Sequence, residues 1–471
     1  MKKPGFSFKV HIMPRLTGEE IVAQFLAKAG GAQGAKAGSV YVAEGYYRAC
    51  GRPMAVFVQD VNEMVGAVAT AFGGSIPMLI LTEKAPRPLS PLQVTAKRWL
   101  AADRAGQLLR VLLRAWNAMM TGRKGPVVVH APAEILREAA EVEIPDPSAH
   151  MPGGRPFGDA AEIDKAMRLL KAAQRPVILA GGGVIAAEAW GELKSLAEHM
   201  GAAVVTTLTG KGAFPEDHPL YAWHTGSPGT GCGNRLTATA DVLLAVGCRF
   251  ATETVAPFEG RPSFAIPPTK LIHVDIDPTE IGRNFPVDVG IAGDAKMVLR
   301  TILRKLQEAT KPRLYVSMEY FREITAVKKE WVRGLKTDGL LAEVRRYLER
   351  EDLVVTSPGP ARERVLRDMP FYLARTHIAA AGSAVATAIG AKLARPEKKV
   401  LAIAGEEEFL AAKEDLSTDA AVVVMVVNTS GKALVVPAER VERLKDVRNA
   451  RKRAFNAGKT GVVDVVVTRN A

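Results

Sequence analysis

Strand-length apolar runs alternate with helix-length amphipathic stretches along this chain, and that rhythm restricts its fold more than any single motif. Residues 55–58, 78–81 and 127–129 read as buried strands, and residues 21–28, 64–72 and 106–120 as helices around them. A short unbroken apolar run suits a strand covered on both faces, and helices between such strands favour parallel pairing through crossovers. The pattern predicts an α/β protein built from doubly wound parallel sheets. At 471 residues, the length suits about three domains.

Punctuation places the boundaries. A Pro- and Gly-rich connector, Pro145 to Pro156, separates a first domain (1–145) from a second (157–308). The second carries predicted strands at 177–180, 203–206, 242–246 and 271–275, and a closing helix over 296–307. A charged, helical crossing segment (311–337) leads to a third domain (338–471). That domain has a predicted helix at 340–350 and strands at 353–356, 400–403, 422–427 and 462–468.

Composition excludes several classes. Hydrophobic residues make up 48% of the chain, enough for packed cores and against global disorder. The formal charge of +13 is spread along the chain with one denser patch at 443–453. The patch reads as a solvated helix face, with a site for RNA or an acidic protein as the alternative, and nucleic acid is not the expected partner. Cys50, Cys232 and Cys248 have no CxxC spacing, which predicts no zinc site and a reducing, cytoplasmic setting. No signal peptide and no membrane span are expected, since residues 1–15 lack an apolar core and no run of 18 apolar residues occurs. No Gly-x-Ser-x-Gly elbow, HExxH or P-loop is present. His130, His218, His224 and His377 are expected to be structural.

The middle domain holds the densest set of ligand-like residues. Gly181-Gly182-Gly183 follows a strand and precedes a helix, where glycines let a pyrophosphate approach the backbone. A tight structural turn explains the same triplet equally well. Gly210-Lys211-Gly212 follows the next strand, Gly247-Cys248-Arg249 another, and Asp275 and Asp277 end a fourth, where an acid can meet a ribose.

With these motifs, residues 160–305 resemble the central domain of thiamine-diphosphate (ThDP) enzymes, above all the acetolactate synthase catalytic subunit; glyoxylate carboligase is similar. The resemblance implies a structural FAD or ADP held by Gly181, Gly182, Gly183, Thr207, Leu208, Gly247, Arg249, Asp275, Ile276, Asp294 and Ala295. The flanks are similar too. Glu44-Gly-Tyr-Tyr-Arg-Ala-Cys-Gly-Arg-Pro53, Ser75-Ile-Pro77 and Thr121-Gly-Arg-Lys-Gly-Pro126 resemble the pyrimidine-binding domain. Ala388-Ile-Gly-Ala-Lys-Leu-Ala-Arg-Pro396 resembles the diphosphate-binding domain. The family likeness implies three α/β domains, with ThDP and Mg²⁺ held between two subunits of a homodimer or higher oligomer.

The chain departs from the family where chemistry needs particular groups. Lys36 falls at the position of the glutamate that meets the aminopyrimidine, and a cation there is no proton acceptor. Gln59-Asp-Val-Asn-Glu63 replaces a Gly-Pro-Gly loop. Gly405-Glu-Glu-Glu408 stands for Gly-Asp-Gly-Ser, and Asn428-Thr429 for the Asn-Asn pair, leaving Glu406 and Asn428 as the candidate metal ligands. The acidic triplet is expected to be a solvated turn, a new metal site or a contact to a basic partner. The Gly-rich start of the helix before Ala388 keeps only Gly382, and the lid region is cut to 432–460. These losses predict a catalytically degenerate homologue with a structural, regulatory or pseudo-subunit role, whose partner is an active paralogue or a regulatory subunit. The alternative is an active carboligase or decarboxylase acting on 2-oxo acids such as pyruvate.

Overall fold

The structure, a computed structural model, describes residues 13–33, 40–85, 92–312, 318–334, 340–359, 362–363, 365, 369–412 and 420–467. Two compact units emerge: residues 1–43 with 52–152, and residues 44–51 with 153–471.

In the first unit a two-stranded antiparallel pair, β1 (Arg15–Thr17) with β7 (Ala139–Glu141), lies apart from a parallel sheet. The sheet contains β2 (Ala32–Gln33), β3 (Met54–Val58), β4 (Met78–Thr82), β5 (Arg98–Ala101) and β6 (Val127–His130), in the order β2-β3-β4-β6-β5. The helix Gly18–Ala29 begins with a capping box, in which Thr17 and Glu20 each accept the other's backbone N–H. Its apolar face packs on helix Ala105–Met120, where Phe25 meets Trp116 edge to face at 5.8 Å.

The second unit holds two six-stranded parallel sheets. The central one contains β8 (Pro176–Ala180), β9 (Ala203–Thr206), β10 (Tyr221–His224), β11 (Val242–Val246), β12 (Lys270–Asp275) and β13 (Val289–Ala292), in the order β10-β9-β8-β11-β12-β13. The other contains β14 (Leu353–Thr356), β15 (His377–Ala379), β16 (Val400–Gly405), β17 (Val423–Asn428), β18 (Glu439–Val441) and β19 (Gly461–Val466), in the order β15-β14-β16-β17-β19-β18. Every pairing in these two sheets is parallel. The central sheet is covered on both faces: Ile178, Leu244 and Ile272 face one apolar cluster, Val177, Leu243 and Leu271 the other.

The expected α/β class with parallel sheets is what the chain adopts. Strands read as unbroken apolar runs are present within a residue or two. Strands without such a run, β5, β10, β13, β15 and β18, were not legible. Residues 44–51 cluster with the second unit through helix Val40–Cys50. Gly45 meets helix Ala384–Ala394 so closely that a Cβ there would lie 1.8 Å from the Thr387 carbonyl oxygen. Arg375 donates to the carbonyls of Tyr47 and Arg48, the last turn of that helix, at 3.2 and 3.1 Å.

Candidate functional site

In the central sheet the chain runs outward from β8 through β9 to β10, then returns to β11 on the other side of β8 and continues to β13. The crevice at such a reversal, beyond the carboxyl ends of the strands, is where open α/β sheets bind ligands. Gly181 follows β8 there and Gly247 follows β11. Gly181 N donates to Val246 O (2.9 Å) and Gly183 N to Gly247 O (3.0 Å). A Cβ on Gly181 would stand 2.0 Å from Gly247 O, and one on Gly183 2.6 Å from Gly247 Cα. Gly247 itself has φ +56°. The triplet's smallness therefore serves the meeting of two strand ends, and the Gly183 N–H is already engaged by the protein. The structural-turn reading accounts for these contacts.

The remaining predicted residues gather along the same edge. Gly182 lies against Thr209, whose Oγ1 is 3.0 Å from where its Cβ would be. Thr207 is buried and its hydroxyl accepts from Gly210 N at 3.1 Å, with half-buried Leu208 beside it. The half-buried Arg249 offers its carbonyl to Arg283 (3.0 Å). Asp275 is buried at the end of β12 and accepts from Asp277 N at 2.9 Å, with half-buried Ile276 next to it. Burial pushes the Asp275 carboxyl up to about 6, helped by the like charges of Glu280 and Asp277. Asp294 caps the helix Ala295–Ala309 by accepting from Lys296 N and Met297 N, and lies 3.5 Å from Arg155; Ala295 is buried. An acid at this strand end thus has a structural task as well.

Lys211, read in the sequence only as part of a Gly-Lys-Gly loop, is a buried charge. Its Nζ lies 2.9 Å from Glu216 Oε2, and the two side chains are 1% and 3% exposed. The ammonium also sits 5.4 Å from the Phe371 ring centroid. Burial raises the Glu216 carboxyl against the pull of Lys211. A lysine followed five residues later by a glutamate was the available signal.

In the last sheet, helix Glu406–Ala411 starts directly after β16. The acidic triplet is the first turn of that helix, which corrects the expectation of a solvated turn; only Glu407 is exposed. Glu406 Oε1 accepts from Ser430 Oγ at 2.9 Å, and the same hydroxyl lies 3.2 Å from Asn428 Oδ1. Ser430 thus brings the two candidate metal ligands together. Asn428 is fully buried at the end of β17. Its Nδ2 donates to Lys432 O (2.7 Å) and Asp464 Oδ1 (2.8 Å), and its Oδ1 accepts from Gly431 N (2.9 Å). Arg440 closes the ring by donating to Asp464 Oδ2, Lys432 O and Gly431 O. The Ser430 hydroxyl has one proton to give, to Glu406 or to Asn428, so of the two acceptor positions of the Asn428 carbonyl oxygen only the one facing Gly431 N is filled in either case. Among the described residues no group of three or more His, Cys, Asp or Glu side chains is placed to hold a metal ion.

Glu408 points elsewhere. Its Oε1 accepts from the backbone N–H of Ala384, the first residue of helix Ala384–Ala394, at 2.8 Å. Lys36 lies outside the described residues. In the first unit the loop after β3 is closed by Asp60, which accepts from Asn62 N (2.9 Å), and by Thr82, which accepts from Val61 N (3.3 Å). Each of the four histidines has a hydrogen-bonding neighbour: His130 with Glu83 O, His218 with Glu198, His224 with Pro228 O and His377 with Thr356.

Comparison with known proteins decides the family. Residues 163–302 match the family described as thiamine pyrophosphate enzyme, central domain, and residues 364–435 match its C-terminal TPP binding domain. A protein of Methanocaldococcus jannaschii named "Probable acetolactate synthase large subunit" is 31% identical over 417 residues, covering 81% of this chain and 69% of the relative. The chain belongs to the thiamine diphosphate enzyme family. The glyoxylate carboligase of Escherichia coli O157:H7 is 31% identical over 424 residues, 81% of this chain and 69% of that one. An X-ray structure presented as a thiamin diphosphate-dependent enzyme from Mycobacterium smegmatis shares the fold, with a TM-score of 0.77 at 17% identity, over 97% of this chain and 100% of that one.

Membership implies ThDP as the family's cofactor. At the family's metal-binding aspartate position stands Glu406, bonded to Ser430, and at its first asparagine Asn428, bonded to Gly431. Among the described residues no helix is long and apolar enough to cross a membrane.

Proposed function

We propose that this chain is an acetolactate-synthase-like ThDP-family protein that holds no ThDP–Mg²⁺ at its own C-terminal domain. It keeps FAD or ADP at the reversal point of the central sheet and acts as a structural or regulatory subunit, in a cytoplasmic homo-oligomer or beside an active paralogue. One observation carries the reading: the Asn428 amide is engaged at its nitrogen by Lys432 and Asp464 and at its oxygen by Gly431. Mg²⁺ needs near-octahedral oxygen ligands at about 2.1 Å, and Asn428 has one oxygen position at most to give, the one that the Ser430 hydroxyl shares with Glu406. Without the metal, a diphosphate beside Glu406 meets like charge, worth about 4 kcal/mol per pair at 4 Å and an effective dielectric of 20. Calorimetric titration of the protein with ThDP and Mg²⁺ should give no saturable binding; a micromolar dissociation constant would end the proposal. Mass spectrometry of the nucleotide released on denaturation tests the central site, where FAD or ADP is expected.

A second reading is favoured by the names of the relatives, acetolactate synthase and glyoxylate carboligase: an active carboligase or decarboxylase on 2-oxo acids such as pyruvate. Acetolactate or acetoin formation from pyruvate with added ThDP and Mg²⁺ would establish it.

A further inference from the structure

Helix Leu444–Asn456 buries one face and gives the other to solvent. Val447 and Ala450 join the apolar cluster of the last sheet, while Arg448, Asn449, Lys452, Arg453 and Asn456 are exposed. Positions 448, 452 and 456 follow one another four residues apart, so the exposed side chains form a single stripe. Arg453 pairs with Glu439. Among the described residues no carboxylate pairs with Arg448 or Lys452, nor with the exposed Lys459 just beyond the helix. The helix dipole accounts for cations in the last turn, Lys452 and Arg453, but not for Arg448 midway along.

Aromatic rings stand beside this stripe. The half-buried Tyr347 has two guanidiniums over its ring, Arg451 at 4.3 Å and Arg448 at 4.8 Å from the centroid. Arg451 is buried and donates to Val344 O at 3.0 Å, which ties the helix to residues 344–350. That segment supplies a second group of the same kind. Arg350 and Arg345 lie 4.2 and 5.1 Å from the ring centroid of the half-buried Tyr372. Arg350 is fixed by Asp217 (2.7 Å), and Arg345 by the carbonyls of Leu348 and Glu349. Two tyrosines, each with two arginines, are thus joined through residues 344–350 to a stripe of cations. The sequence reading of a solvated face missed this, since Val344 and Arg451 stand 107 positions apart.

We infer that this surface is a docking site for single-stranded RNA, with Arg448, Lys452 and Lys459 along the phosphates and the two Tyr–Arg groups as platforms for bases. Arginine serves phosphate both by charge and by its planar fork, and guanidiniums already held against rings have less rotamer freedom to lose. Unpaired bases stack on aromatic rings and on guanidinium planes, and single-strand sites combine such platforms with positive charge. An acidic peptide would use the charge but has no flat face to offer the rings. Asn449 and Asn456 lie on the same face, and a carboxamide can both donate to and accept from a ribose 2′-hydroxyl.

The test is fluorescence anisotropy of the full chain with a labelled oligouridine of about 12 nucleotides, repeated over a salt series. Saturable binding is expected, with log K falling against log salt by about 0.7 for each phosphate neutralised. Arg448→Gln/Lys452→Gln changes two exposed side chains and should leave the fold intact. It should weaken binding roughly tenfold and flatten the salt slope by about 1.4. Tyr372→Leu should weaken binding roughly tenfold with the slope unchanged, because stacking releases no counterions. Lys171→Gln, at an exposed lysine of helix Ala160–Ala172, should alter neither. The deoxy strand, an RNA duplex of the same length and an oligoglutamate of matching charge should all bind more weakly. Equal binding by the deoxy strand or the duplex would overturn the assignment, and equal binding by oligoglutamate would overturn it in favour of an acidic protein. No saturable binding, or binding that Arg448→Gln/Lys452→Gln leaves unchanged, would overturn it too. None of these outcomes depends on whether the protein binds ThDP.

Discussion

Replacing Lys211 with methionine should destabilise the second unit by roughly 3–5 kcal/mol, the usual effect of removing one partner of a buried ion pair. The ammonium lies 2.9 Å from Glu216 and the side chains are 1% and 3% exposed, so solvent screens neither charge. Methionine matches much of the lysine stem, which keeps the cavity contribution small. The loss therefore comes from the carboxylate left behind. Glu216 is already raised by burial, with Lys211 the largest influence holding it down; without Lys211 it rises further and takes up a proton in the fold. A carboxyl whose folded pKa lies above its unfolded value of 4.5 binds its proton more tightly in the native state. Stability then falls as pH climbs above that value. The deficit of Lys211→Met should accordingly be smaller at pH 5 than at pH 7. Thermal unfolding followed by circular dichroism should show a midpoint lowered by roughly 6–10 °C at pH 7, taking about 2 °C per kcal/mol for a large domain. The double variant Lys211→Met/Glu216→Leu should recover most of the loss, because an apolar pair of similar volume replaces a buried ion pair at little cost. A single variant within about 1 kcal/mol of the unaltered protein, or a double variant as unstable as the single, would refute the reasoning.

Three further outcomes are expected. Gly181→Ala should cost about 3 kcal/mol or more, because its Cβ would lie 2.0 Å from Gly247 O; urea unfolding midpoints measure it. Asp275→Asn should stabilise the protein at pH 7. The Asp275 carboxyl is raised from 3.8 to about 6, so stability falls between about pH 4 and pH 6, and at about 1.4 kcal/mol per pH unit the fall is roughly 3 kcal/mol. A thermal midpoint that still drops over that window in Asp275→Asn would contradict the assignment. Arg375→Leu should loosen residues 40–50 by roughly 2–3 kcal/mol, since it removes two charge-assisted hydrogen bonds to the last turn of that helix. Hydrogen exchange of those residues should speed up while the interior of the central sheet stays protected.

The sequence made the sheets legible wherever both faces of a strand are buried. Residues 242–246 and 203–206 were placed to the residue, since a strand covered on both sides has to be apolar throughout. Edge strands escaped: β5, whose Arg98 and Ala101 are exposed, and β18, whose Arg440 reaches Asp464, present mixed side chains to solvent and carry no such signature. The central-domain residues implied by the family lie along one strand-end edge. The roles of several differ, because Gly183 and Asp294 hydrogen-bond their own scaffold.

What the amino-acid order determined alone is the alternation of elements, the class of fold and the family, since these depend on local periodicity and on motifs of contiguous residues. The partner of each polar side chain was decided only in three dimensions. Glu408 meets Ala384 across 24 positions, Asn428 meets Asp464 across 36, and Arg375 meets Tyr47 across 328. A hydrogen bond depends on distances of a few ångströms, and separation along the chain carries no record of them until the sheets have stacked their strand ends together.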